Sequence, residues 1–368
     1  MSGDANGKPL IVDADAHVLE TERTWDYLEP SERQYRPVPL AAPEERGVTL
    51  RFWLVDGRVR GNRFPLFSEE EMRRRQALVG RRFVEAREAR ELDDVGLRLE
   101  HMDATGVDVQ VLHNTMFIER VTDRAPVEVA LCGSWNRWLA DIWAQSDGRL
   151  RWSCLAPTLS ISDALDQIRF SREHGACAVL MRPVEGDRLL VDSYFYPIYE
   201  EASRLDMAIA VHIANGSAWL DELYRHPVTL GAFFHRFRIP TVGGFAYVLF
   251  SELPDLFPKL RWGFIEASAQ WVPWILHEAR NRFRTRGLEW PDNPMEAFRL
   301  FVTCENTDDL PYIVREAGED GLVIGTDYGH TDTSSDVDAI TVFRERSDLS
   351  EDVKRKILSD NARRLYGL

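Results

Sequence analysis

Hydrophobic residues along the chain fall into eight short, β-rich runs: Leu10–His17, Val107–His113, Leu150–Leu155, Ala176–Met181, Met207–Ile213, Leu260–Ile265, Leu300–Cys304 and Leu322–Gly325. Most are separated by stretches of helical periodicity. Ser162–His174 opens on a Ser/Asp cap signal, and Ser268–Phe283 is apolar at Trp271, Trp274, Ile275 and Leu276 with basic residues near its end. Ala125–Gln145 and Ser334–Arg344 read the same way. Strands alternating with helices predict βα units on a parallel sheet, and eight units in one chain favour a closed (β/α)8 TIM barrel over an open sheet.

Two stretches break the alternation and are expected to be insertions, 19–94 after strand 1 and 214–258 after strand 5. The first holds a predicted hairpin, Val48–Arg60, turning at Asp56-Gly57, and a charged helix, Glu69–Glu91. A solvated helical face is the ordinary reading of that Arg/Glu run, and a lid or oligomer contact at the barrel mouth is the functional one. The second holds His226, His235 and an apolar Phe245–Phe250, on the side where barrel enzymes place their site loops.

Length and charge refine this reading. A chain of 368 residues suggests two domains by length alone, but eight βα units occupy it as one domain over 1–368. With 45 Lys+Arg against 60 Asp+Glu the formal charge is −15, which argues against a nucleic-acid or anionic-membrane binder. The longest apolar runs are about six residues, against roughly 20 for a membrane-spanning helix. Met1–Leu10 is polar with no apolar signal core, so a cytoplasmic protein is expected. Cys132, Cys154, Cys177 and Cys304 form no CxxC pair and read as small buried residues, with Cys304 near a strand end.

The candidate chemistry lies at strand ends. Asp13, Asp15 and His17 alternate along the first strand and are expected to share its inward face, where they need a metal or a polar network. His212 ends the fifth strand, Glu266 follows the sixth and Asp327 follows the eighth. Alone, His212 is more readily a core histidine, whereas a turn or helix cap is the lesser reading of each of the two acids. Together, Asp15, His17, His212, Glu266 and Asp327 fall on the face where barrel enzymes build sites, and the imidazole–carboxylate mix suits Zn, Fe or Mn.

The chain resembles the amidohydrolase superfamily, in the branch related to aminocarboxymuconate semialdehyde decarboxylase. The likeness rests on DADAHVLE at Asp13–Glu20, GVDVQVLHNT at Gly106–Thr115, GACAVLMRP at Gly175–Pro183, AVHIANG at Ala210–Gly216, FPKLRWGFIEASAQWVPWIL at Phe257–Leu276, IGTDYGH at Ile324–His330 and NARRLYGL at Asn361–Leu368. It implies a barrel with a divalent metal, Zn or Fe, at its mouth, as one ion or two sharing carboxylates, and a homodimer. It matches Asp15 and His17 to the strand-1 ligands, His212 to the strand-5 ligand and Asp327 to the aspartate that moves the proton of the bound water. Asp15 stands where His is usual. Glu266 stands where the family's decarboxylases carry a catalytic His, which weakens that activity here.

The leading expectation is therefore a metal-dependent hydrolase of a small carboxylated or carbonyl substrate. Asp327 moves the proton, Glu266 binds metal or assists the transfer, and His330, His113 and Arg182 orient substrate. A non-haem di-iron monooxygenase acting on an apolar substrate is the first alternative, a non-oxidative decarboxylase the second, and a binding protein that has lost catalysis the third.

Overall fold

The structure is a computed structural model describing residues 9–84, 86–224 and 233–368. All eight expected strands form: β1 (Val12–His17), β2 (Val109–His113), β3 (Leu150–Leu155), β4 (Ala176–Met181), β5 (Ala208–His212), β6 (Trp262–Ile265), β7 (Leu300–Cys304) and β8 (Leu322–Ile324). They pair in parallel and in chain order. Residues just past β8 close the ring, where Thr326 N and Asp327 N donate to Asp15 O (3.1 and 2.9 Å) and His17 N donates to Tyr328 O (2.9 Å). This is a (β/α)8 TIM barrel. Helices cover its outside, which is why β4 (ACAVLM) and β5 (AIAVH) are apolar and buried on both faces.

The closing seam is tight. A Cβ on Gly325 would lie 2.2 Å from Asp15 Cβ, so glycine at this position lets β8 approach the metal-competent end of β1. A register shift between Asp13 and Ala16 breaks the alternation of β1. Asp13 therefore does not join Asp15 and His17, contrary to the expectation of one shared face. It accepts from Thr326 N (2.9 Å), Thr326 Oγ1 (2.6 Å) and Gln110 Nε2 (2.9 Å), because a bulge re-aims the side chains on either side of it.

Among the helices, Ala125–Gln145 has the expected bounds, and Ile161–Glu173 and Val272–Thr285 lie within a few residues of theirs. The last is shorter than its pattern, Ala339–Arg344, because Ser334 and Ser335 turn their hydroxyls to acids of the site. After β1, three antiparallel strands form (Val38–Ala41, Val48–Val55 and Arg58–Phe67), with Asp56 and Gly57 at φ +52° and +70° making the hairpin turn. The charged run is not one helix. Glu69–Val79 stops at Gly80 (φ +68°), and a separate turn of helix spans Arg87–Arg90. It is not wholly solvated either, since Glu71, Arg90 and Glu91 are buried.

After β5 come a helix, Ala218–Leu223, and a π-helical turn, Phe234–Arg238, that runs into Ile239–Phe250. His226 lies outside the described residues, and His235 stacks on Tyr224 (6.1 Å between ring centroids). No helix among the described residues is long and apolar enough to cross a membrane.

Candidate metal centre

The C-terminal ends of β1, β5, β6 and β8 bring five of the expected residues together with His330. Ligand atoms of Asp15, His17, His212 and Glu266 lie within 4.8 Å of one another, as do those of His17, Glu266, Asp327 and His330. The two groups share His17 and Glu266. Two of these positions hold uncommon backbone, Glu266 at φ +66° and Asp327 at φ +48°, which aims both carboxylates from the turn after a strand. Thr303 Oγ1 on β7 holds the first turn by accepting from Glu266 N (2.6 Å).

Hydrogen bonding assigns the tautomers. His17 Nδ1 lies 3.0 Å from Asn114 O and His212 Nδ1 lies 3.2 Å from Ile213 O. A carbonyl only accepts, so each Nδ1 carries the hydrogen and each Nε2 presents a lone pair. These two Nε2 atoms face each other at 3.1 Å. Asp15 Oδ1 is 3.5 Å from both, and Glu266 Oε2 is 3.3 Å from His17 Nε2 and 3.2 Å from His212 Nε2. Both oxygens are buried and neither has a hydrogen-bond partner. With both carboxylates ionised, four electron pairs converge without a hydrogen among them and repel one another, and a divalent cation satisfies all four. These residues fit such an ion, and their Nδ1–carbonyl contacts are the usual support of metal-binding imidazoles.

The second group has the same character. Thr115 donates its hydroxyl to Val18 O (2.8 Å) and so accepts from His330 Nε2 (2.8 Å), leaving the lone pair of His330 on Nδ1. That atom is 2.7 Å from Asp327 Oδ1, which is itself 3.5 Å from His17 Nε2. A proton or a cation must stand between two acceptors so close. Asp327 Oδ2 accepts from Ser335 Oγ (2.6 Å), and Glu266 Oε1 lies 3.0 Å from Ser334 Oγ.

Titration follows the burial. Burial and the negative charge of Asp332 raise Glu266 well above the usual carboxylate range, and burial and the charge of Glu266 raise Asp327 likewise. Burial pushes His17 down to about 3 and His330 down to about 4. A bound dication reverses the balance for the two raised acids by supplying the local positive charge they lack.

His113 and Arg182 stand apart from the two groups. His113 packs beside His212 (5.1 Å between centroids), with Nδ1 2.9 Å from Ser153 Oγ. Arg182 is buried and engaged, donating from Nη2 to Glu185 Oε2 (2.8 Å) and from Nη1 to Phe117 O (2.9 Å), with Glu128 Oε1 at 3.9 Å. Burial pushes Glu128 up to about 7 from an ordinary 4.5, with Arg182 opposing. The folded chain thus takes this proton more readily than the unfolded one. Its contribution favours folding below about pH 4.5 and is lost as pH rises toward about 7, by at most roughly 3 kcal/mol. Glu128→Gln is expected to flatten this slope of stability between pH 5 and 7.5 in urea unfolding, and an unchanged slope would show that Glu128 does not titrate there.

The pattern did not single out Ser334, Ser335, Thr115, Asn114 or Thr303, since isolated polar residues in loops carry no periodic signal. Beside the polar centre lies an apolar wall of Ile118, Ile213, Ala214, Phe237 and Ala267, with Trp271 packed on it. Ile213 and Ala267 directly follow the ligand candidates His212 and Glu266.

A model of the family described as Amidohydrolase matches residues 12–368. The chain belongs to the amidohydrolase family. Solved amidohydrolase-fold structures agree over the full length. An amidohydrolase of Mycobacterium avium subsp. paratuberculosis K-10 is 17% identical, with a TM-score of 0.77 and 98% of each chain covered. The 5-carboxyvanillate decarboxylase of Sphingomonas paucimobilis is 19% identical, with a TM-score of 0.64, covering 98% of this chain and 100% of that one. That of Novosphingobium aromaticivorans DSM 12444, complexed with manganese and 4-hydroxy-3-methoxy-5-nitrobenzoic acid, is 17% identical, with a TM-score of 0.65, covering 100% of this chain and 98% of that one. No curated protein matches the sequence.

Proposed function

We propose that this amidohydrolase-family protein is a metal-dependent hydrolase of a small organic substrate, with Asp15, His17, His212, Glu266 and Asp327 as ligands of a Zn- or Fe-type centre. The carrying observation is the convergence of buried, partnerless Asp15 Oδ1 and Glu266 Oε2 on the lone pairs of His17 and His212. The pairing of two donor groups through His17 and Glu266 supports room for two ions.

When bound, a divalent ion lowers the pKa of a water into the neutral range and polarises a carbonyl. Asp327 receives the water's proton at Oδ1 and delivers it to the leaving group, while Ser335 fixes Oδ2 so that the carboxylate does not rotate. His330 keeps Nδ1 toward Asp327 because Thr115 holds its Nε2–H. The apolar wall takes the substrate's body and excludes bulk water from that side.

Decarboxylation is the second reading, favoured by the two 5-carboxyvanillate decarboxylases among the solved structures, one of them with manganese. The deciding experiment combines elemental analysis of protein purified without added metal with turnover of aromatic acids, esters and amides in H2(18)O. Stoichiometric metal with 18O in the product is expected. Release of CO2 without 18O in the organic product would replace hydrolysis by decarboxylation. Two Fe per chain with oxygen uptake would replace it by oxygenation, and protein that holds no stoichiometric metal under any loading would remove the centre.

A further inference from the structure

Arg90 ends the short helix Arg87–Arg90 in the excursion after β1 and is only 6% exposed. Its Nε and Nη1 are buried and have no hydrogen-bond partner. The adjacent acid makes no hydrogen bond to it. Glu91, itself buried, is taken by Arg51 Nη1 (3.1 Å) and Arg87 Nε (2.8 Å). A guanidinium cannot escape burial by losing its proton, and leaving its donors unmade is costly, so such a group calls for an anion from outside the chain.

Its position says which anion. Leu19 N, two residues beyond the ligand candidate His17, donates to Arg90 O (3.1 Å). Arg98, which donates to Ala89 O (3.2 Å) and His17 O (3.2 Å) and lies over the Tyr328 ring, ties this turn to the side where β8 closes onto β1. The opposite side, at β5 and β6, is the apolar wall. A molecule spanning the centre would thus meet hydrocarbon at one end and an unpaired cation at the other.

We propose that Arg90 binds the carboxylate of the substrate, making this a centre for small acids with an apolar body. The inference rests on the reading of the centre as the substrate site. Arg90 is a binding residue rather than a metal ligand, and its role differs from that of Arg182, whose Nη groups are already paired inside the protein.

Benzoate and its uncharged analogue benzamide test this by calorimetric titration into metal-loaded protein of measured metal content. Saturable benzoate binding is expected, weakened about 10- to 100-fold by Arg90→Gln, with benzamide affinity and metal content unchanged. Arg90→Lys keeps a cation in place and is expected to weaken benzoate several-fold. Because Arg90→Gln removes a buried, unpaired charge, the ligand-free variant should melt no lower than the parent. Benzoate affinity unchanged in both variants, equal losses for benzamide, or no saturable benzoate binding to metal-replete parent protein would each overturn the assignment. Arg90-dependent benzoate binding in a protein that proves to release CO2 would leave this inference standing and remove only the hydrolase reading.

Discussion

Asp327→Asn is expected to lower turnover by about 10²–10⁴-fold, the range for losing a positioned acid–base group, while the barrel still folds. The backbone at this position has φ +48°, which asparagine accepts more readily than most residues. The amide oxygen can still accept from Ser335, which now reaches Asp327 Oδ2 at 2.6 Å. The substitution removes the ability to take a proton at the atom 2.7 Å from His330 Nδ1. Burial and the charge of Glu266 raise this carboxyl in the metal-free chain, so its use as a base depends on the cation that the surrounding lone pairs call for. Steady-state kinetics paired with metal content and thermal melting check the result. Near-normal turnover at full metal content would remove Asp327 from the proton path.

The sequence carried the barrel because the strands are largely buried on both faces, so most, such as ACAVLM at Ala176–Met181, appear as compact apolar runs whose neighbours have a different period. It carried the ligand candidates because polar groups at the ends of such runs, as in AVHI at Ala210–Ile213 and GFIEA at Gly263–Ala267, stand out against hydrocarbon. What it could not carry were features set by three-dimensional pairing. Asp13 reads as the equal of Asp15, and only the bulge in β1 sends it to Thr326 and Gln110 instead. Ser334 and Ser335 read as the start of a helix because their hydroxyl partners, Glu266 and Asp327, are distant in sequence or lie across a turn. Arg90 sits in REARELDD, where composition alone suggests a solvated face. Its burial, and the capture of Glu91 by Arg51 and Arg87, come from contacts across the fold that no one-dimensional pattern encodes.

Glu266→Gln is expected to weaken metal binding by about tenfold or more, the scale on which even outer-shell changes act at metal sites. In the parent chain Glu266 Oε2 points between two imidazole lone pairs at 3.3 and 3.2 Å and has no hydrogen to offer while ionised. A glutamine turned with its oxygen toward Ser334 would direct an N–H at those same lone pairs. The change therefore removes an anionic ligand and also satisfies, from within the protein, the acceptors that otherwise call for a cation. Two melting curves reveal both effects. The metal-free variant should melt at or above the metal-free parent, and added divalent ion should raise the parent's Tm by the usual linkage while moving the variant's much less. Equal metal-induced shifts in the two proteins, with activity lost only in the variant, would take Glu266 out of the ligand set. It would then be an acid–base group whose raised proton affinity comes from burial and the charge of Asp332.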